Sequence, residues 1–136
     1  AEMARVTRSG GVVVACVWDH GGHQGPLSLF WEAARELDPS VDDESRLAGA
    51  REGHLGQLFT EAGLRDVEET VVSASLEHPT FEAWWEPFTG GVGPAGSHVA
   101  SLDAAGQVEL RERCRTLSGR APFVVTARAW AARGLP

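Results

Sequence analysis

Residues 9–19 read Ser-Gly-Gly-Val-Val-Val-Ala-Cys-Val-Trp-Asp and are the most informative part of the sequence about its architecture. Six consecutive apolar residues, Val12–Val17, follow a pair of glycines. An apolar run without polar alternation is typical of a strand covered on both faces by helices. The glycines favour the left-handed conformation that ends a helix, and Arg5 and Arg8 stand where a helix C-terminus attracts cations. The stretch therefore predicts a helix end, a turn and a buried strand.

Composition limits the function classes that the chain can serve. Its 136 residues suffice for one domain, and its formal net charge of −7 argues against binding to nucleic acid or to an anionic membrane surface. No apolar run approaches the roughly 20 residues that span a bilayer. Cys16 and Cys114 are too few for a disulfide framework. We expect two reduced, partly buried thiols in a cytoplasmic protein.

Helix and strand patterns continue outward from the first strand. Pro26 suits the first turn of a helix, and a second helix is predicted at 52–62, with Gly63 as its stop. A strand is predicted at 67–76, where two glutamates are typical of a position at or near a sheet edge. The apolar face of the first of these helices consists of Leu27, Phe30, Trp31, Ala34 and Leu37.

The remainder of the chain predicts a helical segment and a last strand. Thr80 is the expected N-cap of a short helix, and 90–97 is expected to be a loop. Asp103 is the expected N-cap of a helix that Gly119 ends, and a strand follows from Phe123. These elements give an α/β chain with three strands and about four to five helices.

Three segments resemble the C-terminal half of an S-adenosylmethionine-dependent, small-molecule methyltransferase of the Rossmann-like class. The first is residues 3–17, where Ser9 replaces the proline usual in the family before the paired glycines and the fifth strand. The second is the helix at 58–64, which leads into Val67 like the family's sixth strand. The third is the terminal strand from Phe123, in the place of the seventh.

The resemblance implies a particular sheet and a missing cofactor site. The family inserts its last strand antiparallel between the fifth and sixth, which implies a three-stranded mixed sheet of order first-third-second. Residues 1–136 would form a single partial domain, with 77–120 as a helical cover between the last two strands. The elements that hold S-adenosylmethionine in the family would lie upstream. The chain is therefore expected to bind no cofactor itself, whereas the intact enzyme would transfer the cofactor's methyl group directly to a nucleophile.

Trp18, Asp19 and His20 are candidate substrate-pocket residues because they end a strand predicted to be parallel. Ligands in open α/β sheets lie beyond such carboxyl ends. His20 is the candidate base, and an ordinary loop or pocket wall is the alternative interpretation. A metal site formed by Asp19, His20 and His23 is a further alternative, but we predict no metal because the spacing is unremarkable.

Aromatic residues of two helices complete the candidate pocket. Trp84 and Trp85 are adjacent and are not expected to point fully into the same core. At least one of them is therefore a candidate lid over a substrate, with packing in the core as the alternative. The full aromatic candidate set is Phe30, Trp31, Trp84, Trp85 and Phe88.

Two further patterns favour an ordinary structural interpretation. Residues 91–96 match G-x-G-x-x-G, but no strand precedes them and Pro94 removes one backbone amide, so we expect a loop and no phosphate site. The arginines at 111, 113 and 115 are expected on a solvated helix face.

The first strand is expected to leave one edge open. We predict that a second copy of the chain covers the edge at Val12–Val17, by strand pairing or by domain swapping. Two functions are then compatible with the sequence. The first is an inactive C-terminal fragment of a methyltransferase, and the alternative is a stand-alone α+β protein that binds a small apolar ligand and dimerises through this edge.

Overall fold

A computed structural model describes residues 2–136 of the chain. The helices in chain order are α1 (Glu2–Val6), α2 (Ser28–Leu37), α3 (His54–Glu61), α4 (Phe81–Trp85), α5 (Gly93–Ser101) and α6 (Ala104–Ser118). The strands are β1 (Val13–Trp18), β2 (Arg65–His78) and β3 (Phe123–Leu135). Short 3₁₀ helices occupy Glu44–Arg46 and Glu86–Gly90.

The predicted ends of the helices are largely confirmed. The Thr80 hydroxyl accepts a hydrogen bond from the Ala83 amide at 3.1 Å, and the Asp103 carboxylate accepts one from the Gly106 amide at 2.7 Å. Each bond satisfies an amide that the first turn of the helix leaves unpaired. Gly63 has φ +80° just after α3, the left-handed conformation in which a residue without Cβ is least strained.

Two predictions about the helices are wrong. The segment 90–97, predicted as a loop, contains the end of a 3₁₀ helix and the first half of α5. Pro94 lies in the first turn of α5, where its missing N–H costs no hydrogen bond, so the proline initiates the helix. As a result, six α-helices are present over residues 2–136, more than the four to five predicted.

The three strands form one sheet of order β1-β3-β2, as predicted. Val13 lies opposite Gly134 and Trp18 opposite Ala129, so β1 and β3 are antiparallel. Glu68 contacts Arg133 and Ser75 contacts Thr126, so residue numbers rise along β2 as they fall along β3. β2 and β3 are therefore also antiparallel. The prediction of a mixed sheet is therefore wrong, because the central strand runs opposite to both of its neighbours.

The prediction that β1 is buried on both faces is also wrong. Val13 is buried, but Val14, Cys16 and Trp18 are exposed on the opposite face. The apolar run at 12–17 is typical of a strand that is buried on both faces. Residues 2–136, however, cover only one face of β1.

The chain divides into two compact units, each with its own apolar core. Unit 1 comprises the residues up to Gly25 together with Glu44–Ala74 and Ala127–Pro136, and unit 2 comprises Pro26–Asp43 and Ser75–Thr126. The buried core of unit 1 is Val13, Leu55, Phe59, Leu64, Trp130 and Ala132. The buried core of unit 2 consists of Phe30, Trp31, Ala33, Ala34, Phe81, Trp84, Trp85, Ala95, Val99, Leu110, Cys114 and Phe123.

Both cysteines are free thiols, but neither is partly buried as predicted. Cys16 is exposed because it lies on the uncovered face of β1. Cys114 is fully buried in the core of unit 2, and burial raises the pKa of its thiol to about 12. None of the helices over residues 2–136 has the length and apolar character needed to cross a membrane.

Candidate functional site

The carboxyl end of β1 is organised around the buried side chain of Asp19. Its carboxylate is only 1% exposed. Oδ2 accepts hydrogen bonds from the Arg128 guanidinium, at 2.8 Å from Nε and 2.5 Å from the terminal nitrogen. Oδ1 accepts a hydrogen bond from the Gly22 amide at 2.8 Å. A buried carboxylate is tolerated here because charge-assisted hydrogen bonds compensate for its lost hydration.

Burial and hydrogen bonding act in opposite directions on the pKa of Asp19. Burial acts to raise the pKa of this carboxyl, but the hydrogen bonds from Arg128 and Gly22 outweigh it, and the pKa lies below its usual value. Trp130 contributes in the same direction, although its buried Nε1 has no hydrogen bond of normal geometry with residues 2–136. The Arg128 guanidinium also lies 4.9 Å from the centre of a Trp130 ring, within the range of a cation–π contact. Asp19 is therefore ionised at neutral pH.

The loop that follows β1 is tied to the same point. The Gln24 amide donates to the Asp19 carbonyl at 2.9 Å, and the Arg128 amide donates to the Gln24 carbonyl at 2.7 Å. A Cβ at Gly22 would lie 2.6 Å from the Asp19 carboxylate, so only glycine fits there. Asp19 thus fixes the conformation of residues 19–24 rather than presenting a reactive oxygen to solvent.

His20 is enclosed on two sides. Its imidazole is about one-tenth exposed, and Nε2 lies 3.9 Å from Oε1 of Glu44. On another side, a Cβ at Gly25 would be 3.0 Å from Nδ1 of the ring. The imidazole therefore lies between Glu44 and the loop at Gly25. The role of His20 as a base stays a prediction.

Trp18 is exposed, unlike the two candidate residues that follow it, Asp19 and His20. The side chain is 40% exposed and lies on the uncovered face of the sheet, together with Val14 and Cys16. Of the three candidates at the end of β1, Trp18 is the one that presents a large apolar surface to solvent.

The other candidate pocket residues form an aromatic cluster inside unit 2. Phe30 packs edge-on against Trp31, with ring centroids 5.0 Å apart, and lies 4.9 Å from Phe88. Trp84 and Trp85 are both buried, at 4% and 6% exposure, so the expectation that they could not share a core is wrong.

The rings of Trp84 and Trp85 lie 6.4 Å apart and both contact Phe81 and Phe88, and each also has a neighbour of its own. Trp84 packs against Phe123 and Trp85 against Phe30, at centroid distances of 6.2 and 6.3 Å. Of the five aromatic candidates, Phe88 alone is only partly buried. Close packing of this kind is typical of a core, and the lid role stays a prediction.

His98 lies beside this cluster. Its ring is 5.8 Å from Trp31 and 6.1 Å from Phe30. Burial lowers the pKa of the imidazole, and the nearby Asp38 carboxylate opposes that shift without cancelling it. His98 is therefore a neutral aromatic neighbour at pH 7.

The arginines of α6 make specific contacts instead of extending freely into solvent. Arg111 and Arg115 lie over the ring of Phe81, at 5.5 and 4.3 Å from its centre, and both pair with Glu82. Arg113 pairs with Glu36. Each of the three is neutralised by a carboxylate, so they form no anion site.

The glycine motif at 91–96 does not have the geometry of a phosphate loop. A 3₁₀ helix precedes it in place of a strand. A Cβ at Gly96 would lie 2.9 Å from the carbonyl carbon of Gly91, so Gly96 serves a close backbone contact within the motif. The motif is explained by packing. No group of three or more His, Cys, Asp or Glu side chains among residues 2–136 has the arrangement of a metal site.

Sequence reasoning missed two residues of the candidate site, Arg128 and Glu44. Arg128 does leave a signal in the sequence, because it is the one charged residue in 123–132 and an arginine in such a stretch needs a partner. No comparable signal pointed to Glu44, since its approach to His20 depends on how the chain folds back.

Comparison of the chain with protein-family models and with curated protein sequences gave no match in either case.

Proposed function

We propose that this chain is the C-terminal part of a cytoplasmic, Rossmann-like methyltransferase that uses S-adenosylmethionine to methylate a small molecule. The observation that carries the proposal is the strand order β1-β3-β2, in which the last strand lies in the middle and runs antiparallel to β1. This is the order that the sequence resemblance implies for the fifth, seventh and sixth strands of that fold. Free thiols at Cys16 and Cys114 support the cytoplasmic placement.

The uncovered face of the sheet in unit 1 also supports the proposal. Val14 is 64% exposed and Val72 is 50% exposed, and Trp18 extends the same apolar surface. Val14 pairs with Arg133 and Trp18 with Ala129, and the register of β2 on β3 places Val72 opposite Ala129. Sheets in doubly wound folds are covered by helices on both faces, so an apolar second face is what a part of such a sheet would present.

The residues of this chain do not fit the implied cofactor. A nucleoside-type cofactor needs a glycine-rich turn between a strand and a helix N-terminus, and the motif at 91–96 follows a 3₁₀ helix. We therefore propose that the 136-residue chain neither holds S-adenosylmethionine nor transfers a methyl group.

The chain's contribution to the proposed enzyme is a wall of the substrate pocket. Trp18 offers an exposed apolar ring at the end of β1, and His20 follows two residues later with Glu44 3.9 Å from its imidazole. Asp19 and Arg128 hold the intervening backbone in place. The alternative of a stand-alone apolar-ligand binder has less support, because the tryptophans that it would use are packed against other rings.

The coding sequence immediately upstream of Ala1 tests the proposal. An in-frame segment that encodes a strand followed by a glycine-rich loop supports it, whereas a start codon at this point contradicts it. The protein extended by such a segment should then bind S-adenosylmethionine in calorimetry. The 136-residue chain is the matched control, and tight binding by this shorter chain would contradict the assignment of the cofactor site.

A further inference from the structure

One edge of β1 carries backbone groups that no strand among residues 2–136 satisfies. The Asp19 amide donates to the Arg128 carbonyl at 2.8 Å, which shows that odd-numbered residues direct their backbone groups toward β3. Successive residues of a strand alternate in this direction. Val14, Cys16 and Trp18 therefore direct their N–H groups away from β3, and the Val14 and Cys16 carbonyls point the same way.

This edge also lacks the protection that edge strands normally have. No charged residue and no proline occurs in Val12–Trp18. The other outer strand, β2, carries Glu68 and Glu69 in its exposed first half. Charges of this kind discourage pairing with another chain, so the two edges of the sheet differ in their tendency to associate.

We propose that the free edge of β1 binds β1 of a second copy of this chain, antiparallel and about a two-fold axis through Cys16. A strand without charges is its own best complement, whereas the β2 edge of another copy would bring glutamates. Each copy has a formal charge of −7, so two copies repel over most of their surface and least at this uncharged strand. The product is a continuous six-stranded sheet.

The choice of register follows from the three residues that face outward. Cys16 is the middle one of the three, so an axis through it pairs Val14 with Trp18 of the second copy. The outward N–H groups of Cys16 and Trp18 then meet the outward carbonyls of Cys16 and Val14. An axis through Ala15 would place Trp18 opposite Val12, which lies outside the strand. In the first register the two Cys16 residues form a hydrogen-bonded pair, with Cα atoms about 5.5 Å apart.

This dimer is independent of the proposed enzymatic role. In the proposed parent enzyme, a neighbouring strand of the same sheet takes this edge, so the homodimer is a property of the 136-residue chain. Loss of the dimer would leave the methyltransferase proposal intact, and failure of the upstream-sequence test would leave the dimer intact.

Sedimentation velocity over a wide concentration range tests the association. The wild-type chain should sediment as a dimer that dissociates on dilution, and Val14→Arg should sediment as a monomer at every concentration. Val108→Arg is the matched control, because Val108 on α6 is 62% exposed and Val14 is 64% exposed. Circular dichroism of each variant verifies that the fold is retained. A wild-type monomer throughout, or equal dissociation by both variants, would overturn the proposal.

Cross-linking tests the register. Mild oxidation with copper phenanthroline should join two chains through Cys16, each thiol losing its proton and the pair giving two electrons to the oxidant. The expected Cα separation lies within the roughly 4.4–6.8 Å range of disulfides. Cys114→Ser should cross-link like the wild type, since Cys114 is buried, and Cys16→Ser should not cross-link. A dimer that survives Val14→Arg and forms no Cys16 cross-link would instead indicate domain swapping and would refute the edge pairing.

Discussion

Replacement of Asp19 by alanine should destabilise the fold strongly. The substitution removes three hydrogen bonds, two from Arg128 and one from Gly22, and leaves the guanidinium without its partner carboxylate. Breaking a buried ion pair in this way costs about 3–5 kcal/mol. The Arg128 side chain is 32% exposed and regains part of its hydration, so the lower end of the range applies, about 3 kcal/mol.

Urea denaturation monitored by tryptophan fluorescence measures this loss. With a slope of about 2 kcal/mol per molar urea, the midpoint for Asp19→Ala should fall by roughly 1.5 M. Glu68→Ala is the matched control, because Glu68 forms a two-pronged pair with Arg133, at 2.6 and 2.9 Å, but both side chains are more than half exposed. Exposed pairs contribute about 1 kcal/mol or less. Equal, small midpoint shifts in the two variants would refute the reasoning that burial sets the magnitude.

The pH dependence of the unfolding free energy tests the Asp19–Arg128 pair in a second way. The pKa of Asp19 is lower in the folded protein than its usual value, because burial, which raises it, is outweighed by the combined hydrogen bonds and charge of its neighbours, with Arg128 foremost. The unfolded chain therefore binds the proton more readily. The contribution of Asp19 is fully present above the ordinary aspartate pKa of about 3.9 and disappears as the pH falls through the lower folded pKa. Asp19→Asn should lose this part of the acid-induced destabilisation. If the difference in unfolding free energy between the wild type and Asp19→Asn were the same at pH 5 and pH 2, the lowered pKa of Asp19 would be contradicted.

Three further outcomes follow from burial and close contacts elsewhere. Cys16 should react with a thiol reagent within the dead time of mixing, and Cys114 only on unfolding, since burial raises the pKa of its thiol to about 12; mass spectrometry of partly labelled chains distinguishes the two. Gly96→Ala should cost about 1–3 kcal/mol because its Cβ would meet backbone at 2.9 Å, whereas Gly90→Ala, with open space around it, should change the thermal midpoint little. Because burial lowers the pKa of His98, stability should fall as the pH drops below the ordinary histidine value, and His98→Gln should reduce that fall in denaturation series at pH 5 and pH 8.

Local signals predicted most of the secondary structure correctly. The Thr80 and Asp103 caps and the Gly63 stop act within one helical turn, so the residues that specify them are adjacent in sequence. The order of the strands was also predicted, although through the resemblance to a family and not from pattern alone. The prediction of a loop at 90–97 is wrong because Pro94, which removes a backbone amide, does so in the first turn of α5, where that amide needs no partner.

The candidate site was less accessible to sequence reasoning. The apolar run Val12–Val17 correctly identified a strand but not the exposure of one face, since exposure depends on what packs there. Asp19 was expected at a pocket rim, and its burial results from Arg128, more than a hundred positions away in the chain. Contacts over such a separation leave no periodic signal, and only Arg128, the one charged residue in 123–132, indicated one.

The central position of β3 has a consequence for how the chain is made. Val13 pairs with Gly134, so β1 can join the sheet only after β3 has been synthesised. Until then β1 and β2 have no common neighbour, and the apolar edge of β1 remains open to other nascent chains. Such long-range pairing slows folding and lengthens the period of exposure. Synthesis at high levels should therefore favour aggregation during translation, at a stage when the finished sheet does not yet exist.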